Sequence, residues 1–121
     1  METIERHLIM DPADNKPIIS RVVAQGDRVY VCGMVGDPVG DVTTQTRQAL
    51  ARIDEQLARV GTDKSKLLTA QVWLSDMRLF QTHNAAWNEW VDPEHPPVRA
   101  CVQAELSAPG LLVEIMVTAA R

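Results

Sequence analysis

Two stretches decide how this chain folds: Val98-Arg99-Ala100-Cys101-Val102-Gln103-Ala104-Glu105, and, beyond the turn Ser107-Ala108-Pro109-Gly110, Leu111-Leu112-Val113-Glu114-Ile115-Met116-Val117-Thr118-Ala119. Successive side chains of a strand point to opposite faces. In the first stretch Val98, Ala100, Val102 and Ala104 form a small apolar set, expected to face helices. Arg99, Cys101, Gln103 and Glu105 then share the opposite face. In the second stretch both alternating sets are apolar apart from Glu114, which is the pattern of a strand covered on both faces. Such strands need a sheet to join and a second layer to bury them.

Working outward, Met77–Val91 reads as a helix with Phe80, His83, Trp87 and Trp90 on one stripe, ended by Asp92-Pro93. Leu67–Leu74 is apolar, β-branched and short, hence a strand, with Ser75-Asp76 as the following cap. Thr46, Leu50, Ile53, Leu57 and Val60 recur at three- and four-residue spacing, predicting a helix of about five turns that Asp41 caps and Gly61 stops. Before it lies the loop Gly33–Gly40. Arg28–Gly33 and Ile18–Gln25 flank Gly26-Asp27 as a hairpin, and Thr3–Met10 is a first strand ended by Asp11-Pro12. The order β-β-β-α-β-α-β-β predicts an α+β fold: one mixed sheet with two helices on one face. Two helices cannot cover both faces of six strands, so another subunit is expected to bury the second face.

The 121 residues fit one domain, 1–121, long enough for its own core. Twelve basic against sixteen acidic residues give a net charge of −4, a balance that disfavours binding to nucleic acid. Cys32 and Cys101 form no CxxC and no metal-ligand spacing, so neither a disulfide framework nor a metal site is expected. The sequence has no signal-peptide pattern and no membrane-length apolar run, and a cytoplasmic setting is the expectation.

Arg99 offers a rigid fork of donors suited to a carboxylate, or else it is a rim arginine paired with Glu105 or another acid. Glu114, alone in an apolar strand, is either half of a salt bridge across the closing hairpin or a group that holds a water or moves a proton. Cys101, two residues from Arg99, shares its face. No motif links it to His7, His83 or His95, so an inert thiol is the simpler reading. The loop Gly33–Gly40 has neither the GK[ST] ending nor the GxGxxG spacing of nucleotide-binding loops. His83, Trp87 and Trp90 read as a packing face. With no nucleotide, HExxH or G-x-S-x-G motif, an enzyme here would be cofactor-free: proton transfer, hydration or hydrolysis.

Pro97-Val98-Arg99-Ala100-Cys101-Val102 followed by Leu112-Val113-Glu114-Ile115 resembles the C-terminal signature of the reactive-intermediate deaminase (Rid, or YjgF-type) family. Val29-Tyr30-Val31-Cys32-Gly33 is similar to that family's third strand, Gln45-Thr46 to the start of its first helix, and Asn84-Ala85-Ala86-Trp87 to its second helix. The resemblance implies a chorismate-mutase-like layer assembled as a homotrimer, with cofactor-free sites between subunits. It further implies hydrolysis of imines and enamines to 2-keto acids and ammonia. Arg99 would grip the substrate carboxylate, the Cys101 backbone would contact the amine, Glu114 would position or activate water, and Cys32 and Gly33 would line the site. Two positions depart from the family: Ile18–Val23 holds no tyrosine, and Cys32 stands where a serine is usual. A non-catalytic protein that binds or senses small carboxylates in the same cleft is the alternative. Ribonuclease activity, an old label in the family, is disfavoured by the acidic balance and by the absence of a paired His/Lys site.

Overall fold

The computed structural model describes residues 2–10 and 16–121. Its strands are β1 (Ile4–His7), β2 (Val22–Gln25), β3 (Arg28–Val31), β4 (Leu67–Leu74), β5 (Val98–Gln103) and β6 (Val113–Ala120). Helix α1 spans Val42–Arg59 and α2 spans Phe80–Trp90, the latter entered through a 3₁₀ turn at Met77–Leu79. The expected element order is therefore met, with shorter N-terminal strands. The expected stop at Asp11-Pro12 lies outside the described residues.

Local chemistry sets the helix ends. The Asp41 carboxylate accepts the Thr44 N–H at 2.9 Å, supplying one of the partners a first turn lacks. Gly61, at φ +80°, adopts the left-handed conformation that ends α1. Asp76 caps the 3₁₀ turn through the Arg78 N–H. The stripe of α1, with Ala49, Leu50, Ile53 and Leu57 buried, packs in one cluster with Val29, Val31, Val72, Val113, Ile115 and Val117 of the sheet. Among the described residues no helix is long and apolar enough to cross a membrane.

The sheet order is β1-β2-β3-β6-β4-β5. Neighbours are antiparallel except β4 and β5, which run parallel because α2 carries the chain back between them. One expectation fails here. The last two strands form no hairpin: β6 inserts between β3 and β4, and β5 takes the outer edge. A salt bridge from Glu114 across such a hairpin therefore has no basis.

The facing of β5 is also the reverse of the expected one. Val98 is 71% and Val102 47% exposed, whereas Cys101 packs against the core. The reason is register: Cys101 lies beside Val72, fully buried on β4 beneath the helices, and side-by-side residues share a face. Arg99 and Cys101 thus point to the helix side, and Val98, Ala100 and Val102 to the open side. On β6 the alternation is clean. Val113, Ile115, Val117 and Ala119 point inward, while Glu114, Met116 and Thr118 lie on the open face. Arg99 and Glu114 consequently sit on opposite faces of one sheet.

Candidate functional site

On the helix side the Arg99 guanidinium is held by two consecutive residues of α2. Nη2 donates to Asn84 Oδ1 at 2.6 Å, and Nη1 lies 3.3 Å from His83 Nε2. The Trp87 ring, one turn further along α2, lies 5.0 Å from the guanidinium carbon and the Phe80 ring 6.0 Å, two cation–π contacts from the same helix. Burial pushes the guanidinium pKa down from its ordinary value, yet an arginine remains charged. Among the described residues Arg99 makes no ion pair, with Glu105 or any other acid. The rim-arginine reading is therefore set aside. Arg99 is an oriented cation whose counter-charge is not supplied by any described residue.

His83 is fully buried, and its pKa is lowered to about 4, by burial first and by the Arg99 charge second. Its second ring nitrogen, Nδ1, lies 2.9 Å from Thr46 Oγ1 on α1. The packing-face reading of this stripe holds for Trp87, which is buried, but it misses the polar work of His83 and Asn84. A signal was available: a histidine inside an apolar stripe must have hydrogen-bond partners, and Thr46 is a polar residue within the otherwise apolar stripe of α1. Cys101 lies beside this cluster, its thiol pKa raised by burial, which outweighs the nearby Arg99, so the sulfur is the protonated, unreactive form.

On the open face, Gly33 lies against the Glu114 side chain; a Cβ at Gly33 would overlap the carboxylate. The glycine thus lets the acid sit directly on the backbone. That backbone is fixed by reciprocal bonds: Met34 N–H donates to Ile115 C=O at 2.8 Å, and Ile115 N–H to Met34 C=O at 3.0 Å. Cys32, just before it, donates its S–H to Met34 Sδ at 3.5 Å, and its thiol pKa is raised chiefly by burial. Ile19, Tyr30, Cys32, Gly33 and Met116 line a concavity beside Glu114. Among the described residues the Glu114 carboxylate makes no ion pair.

Gln45, at the start of α1, ties this side together. It is fully buried; its amide donates to Gly110 C=O at 2.9 Å and its oxygen accepts Leu112 N–H at 2.9 Å. Arg52 binds Val35 C=O at 2.6 Å and Asp37 at 2.8 Å. The loop Gly33–Gly40 is thereby anchored on α1, as a built support for Gly33 rather than a phosphate cradle. The residues expected to form the site thus fall into two groups, Arg99 with Cys101 and Glu114 with Cys32 and Gly33, that the single chain does not bring together.

A six-stranded sheet of this order under two helices, with an oriented arginine on one face and a glycine-backed carboxylate on the other, defines an α+β class with solved representatives. A YjgF-family protein of Neisseria meningitidis superposes with a TM-score of 0.89 at 34% identity, covering 98% of this chain and 95% of that one. A protein of Mycobacterium tuberculosis described as a member of the YjgF/YER057c/UK114 family does so with a TM-score of 0.87 at 26% identity, over 98% and 100% of the two chains. The family model described as endoribonuclease L-PSP matches residues 14–121. The chain belongs to this family, the YjgF or Rid family. A RutC family protein of Haemophilus ducreyi is 42% identical over 102 residues, 84% of this chain and 87% of that protein. The RutC family protein YoaB of Escherichia coli is 40% identical over 101 residues, 84% and 89% of the two.

Proposed function

We propose that the chain hydrolyses reactive imines and enamines of amino-acid metabolism to 2-keto acids and ammonia, without a cofactor, in a site completed between copies of the chain. The observation that carries this reading is the state of Arg99: a guanidinium oriented by neutral acceptors and, among the described residues, without an acidic partner. That arrangement suits a ligand that brings its own carboxylate.

In the proposed reaction the 2-iminium carboxylate docks on Arg99. Glu114 accepts a proton from water as the water oxygen bonds to the imine carbon, and the C=N π pair moves to nitrogen. Glu114 then returns that proton to the amine nitrogen, the C–N bond breaks as the O–H bond pair closes the carbonyl, and the hydroxyl proton leaves with the departing ammonia as ammonium. An enamine enters after protonation of its carbon. The substrate is already electrophilic, so orientation and a placed base account for the modest acceleration required. Because a sheet separates Arg99 from Glu114, the two groups would come from different copies. The exposed apolar residues of the open face favour such an assembly, a homotrimer on the family pattern.

The test is release of ammonia and keto acid from imines generated in situ by an amino-acid oxidase. Acceleration over the spontaneous rate supports the reading, and none across several amino acids overturns it. Saturable binding of 2-keto acids without turnover would instead favour a carboxylate-binding or sensing role for the same residues. Ribonuclease chemistry has less support. The chain is acidic, and of its histidines His83 is buried and neutral while His7 and His95 each sit beside a carboxylate.

A further inference from the structure

We infer that His83 is a positioning residue for Arg99, a neutral hydrogen-bond acceptor whose proton is held on its far nitrogen by Thr46. The inference rests on the reading of Arg99 as the carboxylate-binding group. Arginine can only donate, so the His83 Nε2 that faces Nη1 at 3.3 Å must present its lone pair. The ring proton then lies on Nδ1 and is donated to Thr46 Oγ1 at 2.9 Å. The order of contact is Thr46 on α1, His83 on α2, Arg99 on β5, so three elements fix one side chain.

The choice of acceptors has a chemical consequence. A carboxylate in place of His83 would hold the guanidinium more tightly, but it would neutralise the charge and compete with an incoming anion. An imidazole and an amide orient the group and leave its charge whole. Of five N–H donors, His83 and Asn84 engage one each, leaving three for a two-pronged contact with a carboxylate. Trp87 and Phe80 limit the swing of the plane. Among the described residues, the groups meeting the ring from neighbouring elements are the uncharged Thr46 from α1 and Arg99 from β5, which is the one charge acting on it. Protonation of His83 would set an N–H and a positive charge against Nη1, turning the acceptor into a repelling donor.

Two measurements test the inference. In wild-type protein labelled with ¹⁵N-histidine, the His83 resonances, assigned by their loss in His83→Gln, should show a protonated Nδ1 and a bare Nε2. A protonated Nε2 at neutral pH would overturn the assignment without any variant needing to fold. Calorimetric titration with 2-oxobutyrate at neutral pH should show binding about tenfold weaker or worse in His83→Leu, and within about threefold of wild type in His83→Gln, whose amide can both accept and donate. A folded His83→Leu that binds as wild type does would contradict the positioning role. Failure of the wild type to bind, or undiminished binding by Arg99→Ala, would instead overturn the carboxylate reading of Arg99. The tautomer result would still decide whether His83 holds that side chain.

Discussion

Arg99 illustrates how much of a site is a matter of what surrounds one side chain. Its fork geometry, more than its charge, suits it to the proposed role, so Arg99→Lys should lower kcat/KM at least about 100-fold in the imine assay while leaving the fold intact. A lysine that keeps near-normal activity would show that a point charge suffices. His83 adds a stability term of defined sign. Its pKa is about 4 in the folded chain against an ordinary value near 6.5, so the unfolded chain binds more protons between those values. Stability should be complete above about pH 6.5 and fall as the pH drops toward 4, by up to about 3 kcal/mol. His83→Gln should remove that component. Urea titrations of both proteins at several pH values in this window measure it, and parallel slopes would refute it. The carboxylates held below their ordinary range, such as Asp41 with its Thr44 bonds, act at lower pH and cancel in the comparison.

At the level of elements, Gln45 is the strongest structural test. Removing this fully buried side chain leaves a void and takes a hydrogen-bond partner from the half-buried Leu112 and from the Gly110 C=O. Gln45→Ala should therefore cost about 2–4 kcal/mol in urea unfolding, and it should loosen the Gly33 loop more than α2 in hydrogen exchange. Elements were largely legible in the sequence because each carries its own period and punctuation. The α1 stripe ends at Gly61, the strand Leu67–Leu74 matches residue for residue, and the Asp41 and Asp76 caps form as read. What could not be read was pairing between distant strands. Period-2 alternation states that Arg99 and Cys101 share a face, but not which face. That choice is made by register with Val72 on β4, a contact no local pattern encodes. The same limit hid the insertion of β6 between β3 and β4, and with it the separation of Arg99 from Glu114. His83 and Asn84 were hidden differently: their partners lie on other elements, and helical spacing alone makes them look like packing.

At the scale of the whole molecule, the open face of the sheet carries the consequence of that separation. Val98, Val102, Tyr30 and Met116 are exposed there, Tyr30 and Met116 lining the concavity beside Glu114 and Val98 and Val102 on the edge strand β5. Burying such a surface is the ordinary role of a symmetric partner. The protein should run in solution at about three times its 13.4 kDa chain mass, and Met116→Glu should shift it toward the single chain in light scattering. A monomeric wild type with full activity would refute a shared site. The most direct measurement of the central claim mixes two inactive proteins. Arg99→Ala and Glu114→Ala, each expected to be nearly inert in the imine assay, are unfolded together in equal amounts and refolded into mixed assemblies. If each site takes Arg99 from one copy and Glu114 from another, about a quarter of the sites should be intact, and ammonia release should recover to about a quarter of the wild-type rate. Mixed assemblies that form but remain as inert as either variant alone would contradict the account.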